Sequence, residues 1–327
     1  FLETIWYNIY RLKGDDIMSI GNKIKEYREA NKMTQKDIAE ILEVEPGTIS
    51  KYESEMIEPN IESLKRLADT FNITVDELIK DEDKFDVSRI NVLEILREQK
   101  EMRLKGNLYH NTQIIFAYNT NHIEGSTLTE DQTRYIFETN TILFEGDTIA
   151  KVDDILETSN HFQLVDYMLD VADKKLNEKM IKEFHKILKN GTSDSRVDWF
   201  NVGEYKQKAN QIGSGISTTL PSNVEKEMAK LMEWYNSIKK ITIKEIIEFH
   251  YRFEKIHPFQ DGNGRVGRII MFKECLKNNI IPFIILDKDK LFYYRGLKEY
   301  KNENGYLIDT CLNAQEQYKN MIEYYLK

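Results

Sequence analysis

Apolar residues recur at helical spacing along almost the whole chain, and the breaks in that pattern divide it. From residue 18 to 80 the pattern gives five short helices. Thr34 caps a run whose apolar face is Ile38, Ala39, Ile41 and Leu42, and a turn through Val44-Glu45-Pro46 leads into Gly47-Thr48-Ile49-Ser50-Lys51-Tyr52. Two helices about a tight turn make a helix-turn-helix pattern. Asp81-Glu82-Asp83-Lys84 is a charged break, which places a linker at 81–88. Residues 89–327 are helical nearly throughout, with stripes such as Ile90, Leu93, Leu96 and Ile246, Phe249, Phe253, Ile256. The exception is Gln211 to Pro221, where two short extended runs around Gly213 and Gly215 fit a β-hairpin. The expected fold class is therefore all-α, with one small hairpin and a small N-terminal five-helix domain. Residues 1–17 read either as leader translated ahead of a start at Met18 or as a helical arm carrying Trp6 and Tyr7.

Composition narrows the class. A chain of 327 residues suggests about two domains. Cys275 and Cys311 have no CxxC spacing, and no secretory leader or run of roughly 18 apolar residues occurs, so a reduced, cytoplasmic protein without a membrane partner is expected. The formal charge of −9 leaves no overall basic footprint for bulk nucleic-acid binding. Residues 18–80 hold nine Lys and Arg against thirteen Asp and Glu, a net of −4. DNA affinity rests mostly on neutralised phosphates, so operator binding by this domain would depend on dimerisation or on locally placed cations, with Lys36, Thr48 and Lys51 the candidate contacts. The alternative is a helical bundle kept for dimerisation or docking.

The chemistry concentrates in His257-Pro258-Phe259-Gln260-Asp261-Gly262-Asn263-Gly264-Arg265-Val266-Gly267-Arg268. Glycines bracketing Asn263 let backbone N–H groups approach an anion closely, at what reads as a helix N-terminus. Arg265 and Arg268, spaced i,i+3, lie on one side of that helix, placed to grip phosphate oxygens. Asp261 is a hard oxygen ligand of the kind Mg²⁺ takes beside phosphates, and His257 can accept a proton near neutral pH. The glycines do not end in Gly-Lys-Ser/Thr and do not follow a strand, so this is neither a Walker loop nor a dinucleotide fingerprint. Read blandly, it is a polar inter-helix loop with an incidental histidine, but six apt side chains in one loop point to nucleotide chemistry.

These twelve residues resemble the signature of the Fic family, His-x-Phe-x-Asp/Glu-Gly-Asn-Gly-Arg-x-x-Arg, at every defined position. The resemblance implies transfer of AMP from Mg·ATP to a Ser, Thr or Tyr hydroxyl of a target protein, possibly the chain itself. It implies His257 as base, Asp261 as metal ligand, and Gly262, Asn263, Gly264, Arg265 and Arg268 as phosphate binders. Thr120-Asn121-His122-Ile123-Glu124-Gly125 alone reads as a helix stopped by glycine. Beside the signature it is similar to the family's inhibitory motif, which implies that Glu124 pairs with Arg268 and restrains the reaction, Thr120 and Gly125 completing the motif. The resemblance further implies a flap near 206–221 holding the target along Ile212, Gly213, Ser214 and Gly215, and an adenine pocket lined by Tyr294 and Asn302, although aromatic pairs such as Tyr293-Tyr294 also serve as core. His250 reads as packed support, and His161 and His185 as surface or structural. Residues 18–80 resemble the Cro/repressor-like family. Alternatives within the same fold are transfer of another phosphate-containing group or removal of AMP. From another class, the chain could be a DNA-binding regulator that senses nucleotide.

Overall fold

The computed structural model describes residues 20–79, 87, 90–144, 149–212 and 216–326. The expected leader, most of the linker and Gly213 to Gly215 lie outside them. The chain divides into two compact units, one ending at residue 86 and the other running from Val87 to Leu326.

The first unit has helices α1 (Ile20–Ala30), α2 (Gln35–Leu42), α3 (Pro46–Glu53), α4 (Ile61–Phe71) and α5 (Val75–Ile79). Each start has a local cause. Thr34 and Asp37 close a capping box on α2, Pro46 occupies the first turn of α3, and Asn60 accepts from Ser63 N–H to open α4. Glu43, at φ 57°, turns the chain between α2 and α3. The apolar faces meet in one core of Ile24, Ile38, Ile49, Leu67 and Leu78. Arg28 donates to both oxygens of Glu53, at 2.6 and 3.1 Å, and Gln35 donates to the same carboxylate at 2.8 Å, pinning α1 and α2 to α3.

The second unit holds α6 (Val92–Met102), α7 (Leu108–Ile123), α8 (Glu130–Thr139), α9 (Val152–Val171), α10 (Glu178–Leu188), α11 (Pro221–Ser237), α12 (Ile243–Ile256), α13 (Asn263–Lys277), α14 (Lys290–Glu299) and α15 (Gly305–Leu326). Its axis is α13, which packs against α7, α9, α10 and α12 and is buried almost all round. Val266, Ile269, Ile270, Phe272 and Leu276 are each buried, and each such side chain contributes about 1.5–3 kcal/mol when fully withdrawn from water. Residues 257–262 join α12 to α13, so the signature loop is fixed at both ends by core helices. No described helix is long and apolar enough to cross a membrane.

The expected hairpin flap is not present as an element among the described residues. Only Gln211–Ile212 pairs with Ile216–Ser217, two residues on each side. Two cross-strand pairs fall short of an ordinary strand, and glycines at 213 and 215 oppose extension of the ladder. The described fold is all-α, without a hairpin flap as an element.

Candidate active site

His257 ends α12 with a left-handed backbone, φ 53°, its N–H returning to Phe253 O at 2.8 Å. That conformation is costly for a non-glycine residue and persists only where the surroundings impose it. Here Phe259 is fully buried and stacks on His185 with ring centroids 4.0 Å apart. His185 in turn accepts from Gly203 N–H at 2.9 Å through Nδ1, leaving Nε2–H to donate to Asp261 O at 3.1 Å. Burial lowers the pKa of His185 to about 3, so it works as a neutral strut. His161 and His185 are both buried, not on the surface.

Gly262 caps α13 at φ 76°, where a Cβ would stand 3.3 Å from Leu188 Cδ2. No side chain caps this N-terminus. Its first amides and the helix dipole therefore favour an anion.

Two amides hold His257. Phe259 N–H donates to Asn263 Oδ1 at 2.8 Å and Asn263 Nδ2 donates to Phe259 O at 3.0 Å. Asn210 accepts from Lys206 Nζ at 2.6 Å and from Thr218 Oγ1 at 2.7 Å on Oδ1, while its Nδ2 donates to Phe259 O at 3.0 Å. Both amides are thereby oriented, and each presents N–H to His257 Nδ1 at 3.1 Å. The neutral ring accepts at Nδ1 and carries its proton on Nε2. Burial, then Lys206, lowers the pKa of His257 to about 4, against smaller raising effects of Asp261 and Glu124.

The two signature arginines have different partners. Arg268 Nε donates to Thr120 Oγ1 at 2.7 Å, and its Nη2 to Thr120 O at 3.0 Å and to Glu124 Oε1 at 2.6 Å. Glu124 stands so close over Gly264 that a Cβ there would collide with its carboxylate. Gly125, at φ 98°, follows it where α7 stops. Arg265 instead ion-pairs with Glu157 and, at 3.0 Å, with Asp261 Oδ2. Lys189 Nζ, nearly inaccessible, lies 2.5 Å from Glu157, 2.6 Å from Asp194 and 2.8 Å from Asp261. The three carboxylates are close enough together to hold a cation, and the lysine ammonium fills that role. Burial raises the pKa of Asp261, but Arg265 and Lys189 outweigh it and hold the group well below the usual carboxylate range.

A cavity of 590 Å³ is lined by His257, Asp261, Asn263, Gly264, Arg268, Glu124, Tyr293 and Tyr294, and also by Asn210 and Glu254. Gly262 and Arg265 do not line it. Tyr294 reaches it while donating to Ile123 O at 2.8 Å. Asn302 does not reach it: it sits exposed in the turn after α14 and contacts Glu299 at 3.5 Å, because Tyr293 and Tyr294 on α14 fill the wall it was expected to share. In the first unit Lys36 and Lys51 are exposed on α2 and α3, and Thr48 is half-buried. Sequence reasoning missed Lys189, Glu157, Asp194, Lys206, Asn210 and Glu254. The available signal was a charged residue in an apolar stripe, as Glu254 is between Phe253 and Ile256.

A glycine-lined helix N-terminus, an arginine and a neutral histidine meet around one cavity, an arrangement suited to receiving an anion. The Fic/DOC family matches residues 175–275, and the helix-turn-helix family matches residues 24–78. One chain thus carries a helix-turn-helix match in its first unit and a Fic/DOC match in its second. It is similar to protein adenylyltransferase Fic of Nematostella vectensis, 29% identical over 186 residues, covering 56% of this chain and 42% of that one. The Drosophila melanogaster protein of the same name is 29% identical over 189 residues, 55% of this chain and 36% of the relative. The chain thus spans less than half the length of these relatives. A Fic-domain-containing signaling protein of Bacteroides thetaiotaomicron has the same fold, with TM-score 0.58 and 22% identity, over 72% of this chain and 95% of that one. Fic-1 of C. elegans matches with TM-score 0.54 and 17% identity over 99% of this chain and 93% of that one.

Proposed function

We propose that the chain transfers AMP from ATP to a hydroxyl side chain of a protein target, itself included, and that Glu124 restrains the reaction. The observation that carries this reading is the single cavity in which the uncapped α13 N-terminus, Arg268 and a neutral His257 meet. The relatives named for adenylyl transfer support it. The α-phosphate rests on the amides of Gly262 to Gly264, and Asn263 keeps that loop closed. Arg268 takes the terminal phosphates once Glu124 yields it, and Arg265 supports Asp261 from behind. Asp261 fits Mg²⁺: ionised, half-exposed and facing the cavity, it offers the single carboxylate such an ion takes beside phosphates. Bound there, Mg²⁺ would neutralise charge developing on the phosphates. His257 takes the proton of the attacking hydroxyl, the hydroxyl oxygen bonds to the α-phosphorus, and pyrophosphate leaves. This requires the cavity-facing ring nitrogen to be unprotonated. The neutral ring can adopt the tautomer that leaves this nitrogen free.

Label from α-labelled ATP should appear weakly on the wild-type protein, rise in Glu124→Gly and vanish when His257→Ala is added. No incorporation in any of them, with cell lysate supplied as target, would sink the reading. A second reading, removal of AMP from a modified target, is favoured by the Nε2–H ring, which can protonate a leaving hydroxyl oxygen while a carboxylate at Glu124 directs water. Release of AMP from a pre-modified target by wild type but not Glu124→Gly is its signature.

A further inference from the structure

One carboxyl in the cavity has no part in the chemistry above. Glu254 stands one turn before His257 on α12 and shares the cavity wall with Arg268 and Glu124. It is 8% exposed, and its Oε1 has no hydrogen-bond partner among the described residues. Gly267 makes room for it: a Cβ there would stand 3.1 Å from Glu254 Oε1 and 2.6 Å from His250 Nδ1. A buried, unpartnered carboxyl beside the arginine that takes terminal phosphates is placed to meet the same oxygens.

We propose that Glu254 is a proton-dependent gate of the polyphosphate site, donating a hydrogen bond to the nucleotide's terminal phosphates when protonated and repelling them when ionised. The inference rests on the nucleotide reading above. The groups facing Glu254 are Glu124 from α7, Arg268 from α13, Tyr293 and Tyr294 from α14, and His250 from its own helix. Burial, then the charge of Glu124, pushes its pKa up to about 8, with Arg268 opposing. Tyr293 is pushed up mainly by burial and stays neutral, as does His250, whose pKa burial lowers to about 3. Below that pKa the acid is a donor, as phosphate oxygens require. Above it a second anion faces the triphosphate, so affinity is full at neutral pH and falls as pH rises.

The test is calorimetric binding of an ATP analogue with a methylene between the α- and β-phosphates, from pH 6.5 to 9.5. It uses the full chain carrying Glu124→Gly, alone and with Glu254→Gln. Binding by the Glu124→Gly protein should weaken by up to roughly tenfold per pH unit above the Glu254 pKa. The amide, a donor that cannot ionise, should abolish that weakening and leave only the shallower loss from Lys206, whose own pKa burial brings to about 8. A flat profile for Glu124→Gly alone overturns the proposal whatever the second variant does, as does an equal slope in both proteins. Absence of binding at every pH would instead remove the nucleotide reading, and this inference with it.

Discussion

Lys206 places its ammonium on two neutral oxygens, Asn210 Oδ1 and Thr218 Oγ1, with no carboxylate among its hydrogen-bonding partners in the described residues. That charge is one cause, after burial, of the low pKa of His257. A histidine whose folded pKa is depressed is neutral at every pH above it. The acid limb of kcat/KM in the Glu124→Gly background should therefore lie near pH 4, well below the ordinary histidine value of about 6.5. Lys206→Met removes a repelling cation and should move that limb upward by about one pH unit; an unmoved limb would detach Lys206 from the base. Gly267 gives a second residue-scale prediction, since its signature position is unrestricted and nothing in the sequence demands glycine there. Alanine would drive a methyl group into His250 and Glu254, costing about 1–3 kcal/mol in a urea melt, where a neutral result would mean the two side chains can withdraw. The roles of Gly262, Asn263 and His257 were legible because they are local: glycine conformation, a loop-closing amide and a helix end all act within a few residues. Lys206, Lys189 and Glu157 were not, because each acts through a partner on another element, and only packing reveals whether a buried charge is matched.

The contact between Glu124 and Arg268 belongs to a helix end. The end of α7 presents Thr120 and Glu124 to Arg268, and it is fastened from the other side as well. Asp287 N–H donates to Asn119 Oδ1 at 2.8 Å, His122 Nδ1 lies 2.9 Å from Asp287 Oδ2, and Tyr294 binds Ile123 O. The motif thus depends on the short 3-10 turn Asp287–Asp289, which follows it by more than 160 residues and lies outside the cavity. Loosening one such tie should shift population away from the held helix. Asp287→Ala should raise basal label incorporation by about five- to tenfold, the worth of roughly 1 kcal/mol of hydrogen bonding, yet stay below Glu124→Gly. Incorporation equal to wild type would show that Glu124 holds Arg268 without help from the helix end. At this scale the periodicity gave the helices and glycine gave the stop at Gly125. It also suggested a hairpin at 211–217, where glycine-punctuated extended residues were read as strands; such a pattern does not decide how many cross-strand pairs form.

At the scale of the molecule, one chain joins an acidic helix-turn-helix unit to a unit that carries the Fic/DOC match, and any DNA binding by the first must use few cations. Several of its basic residues are already committed. Arg28 is clasped by Glu53, Arg66 pairs with Glu43 at 3.1 Å, and Lys23 is buried with Nζ on Glu77 O at 2.8 Å. Lys36 and Lys51 stay exposed on the two helices of the turn, without ion pairs among the described residues, on the elements that dock against DNA in this fold. Each phosphate contact adds about 0.9 to the slope of log affinity against log salt concentration, so a unit with so few free cations should show a shallow slope and weak binding to random duplex. Lys36→Ala with Lys51→Ala should flatten that slope by about 2 in a fluorescence-anisotropy titration over a salt series, because two phosphates lose their partners. An unchanged slope would place the DNA elsewhere on the unit, and no binding even at low salt would return these helices to dimerisation or docking. The weakness expected here also sets the condition for operator recognition: with so little non-specific affinity, a sequence preference must come from base contacts near Thr48 or from two units engaging half-sites together.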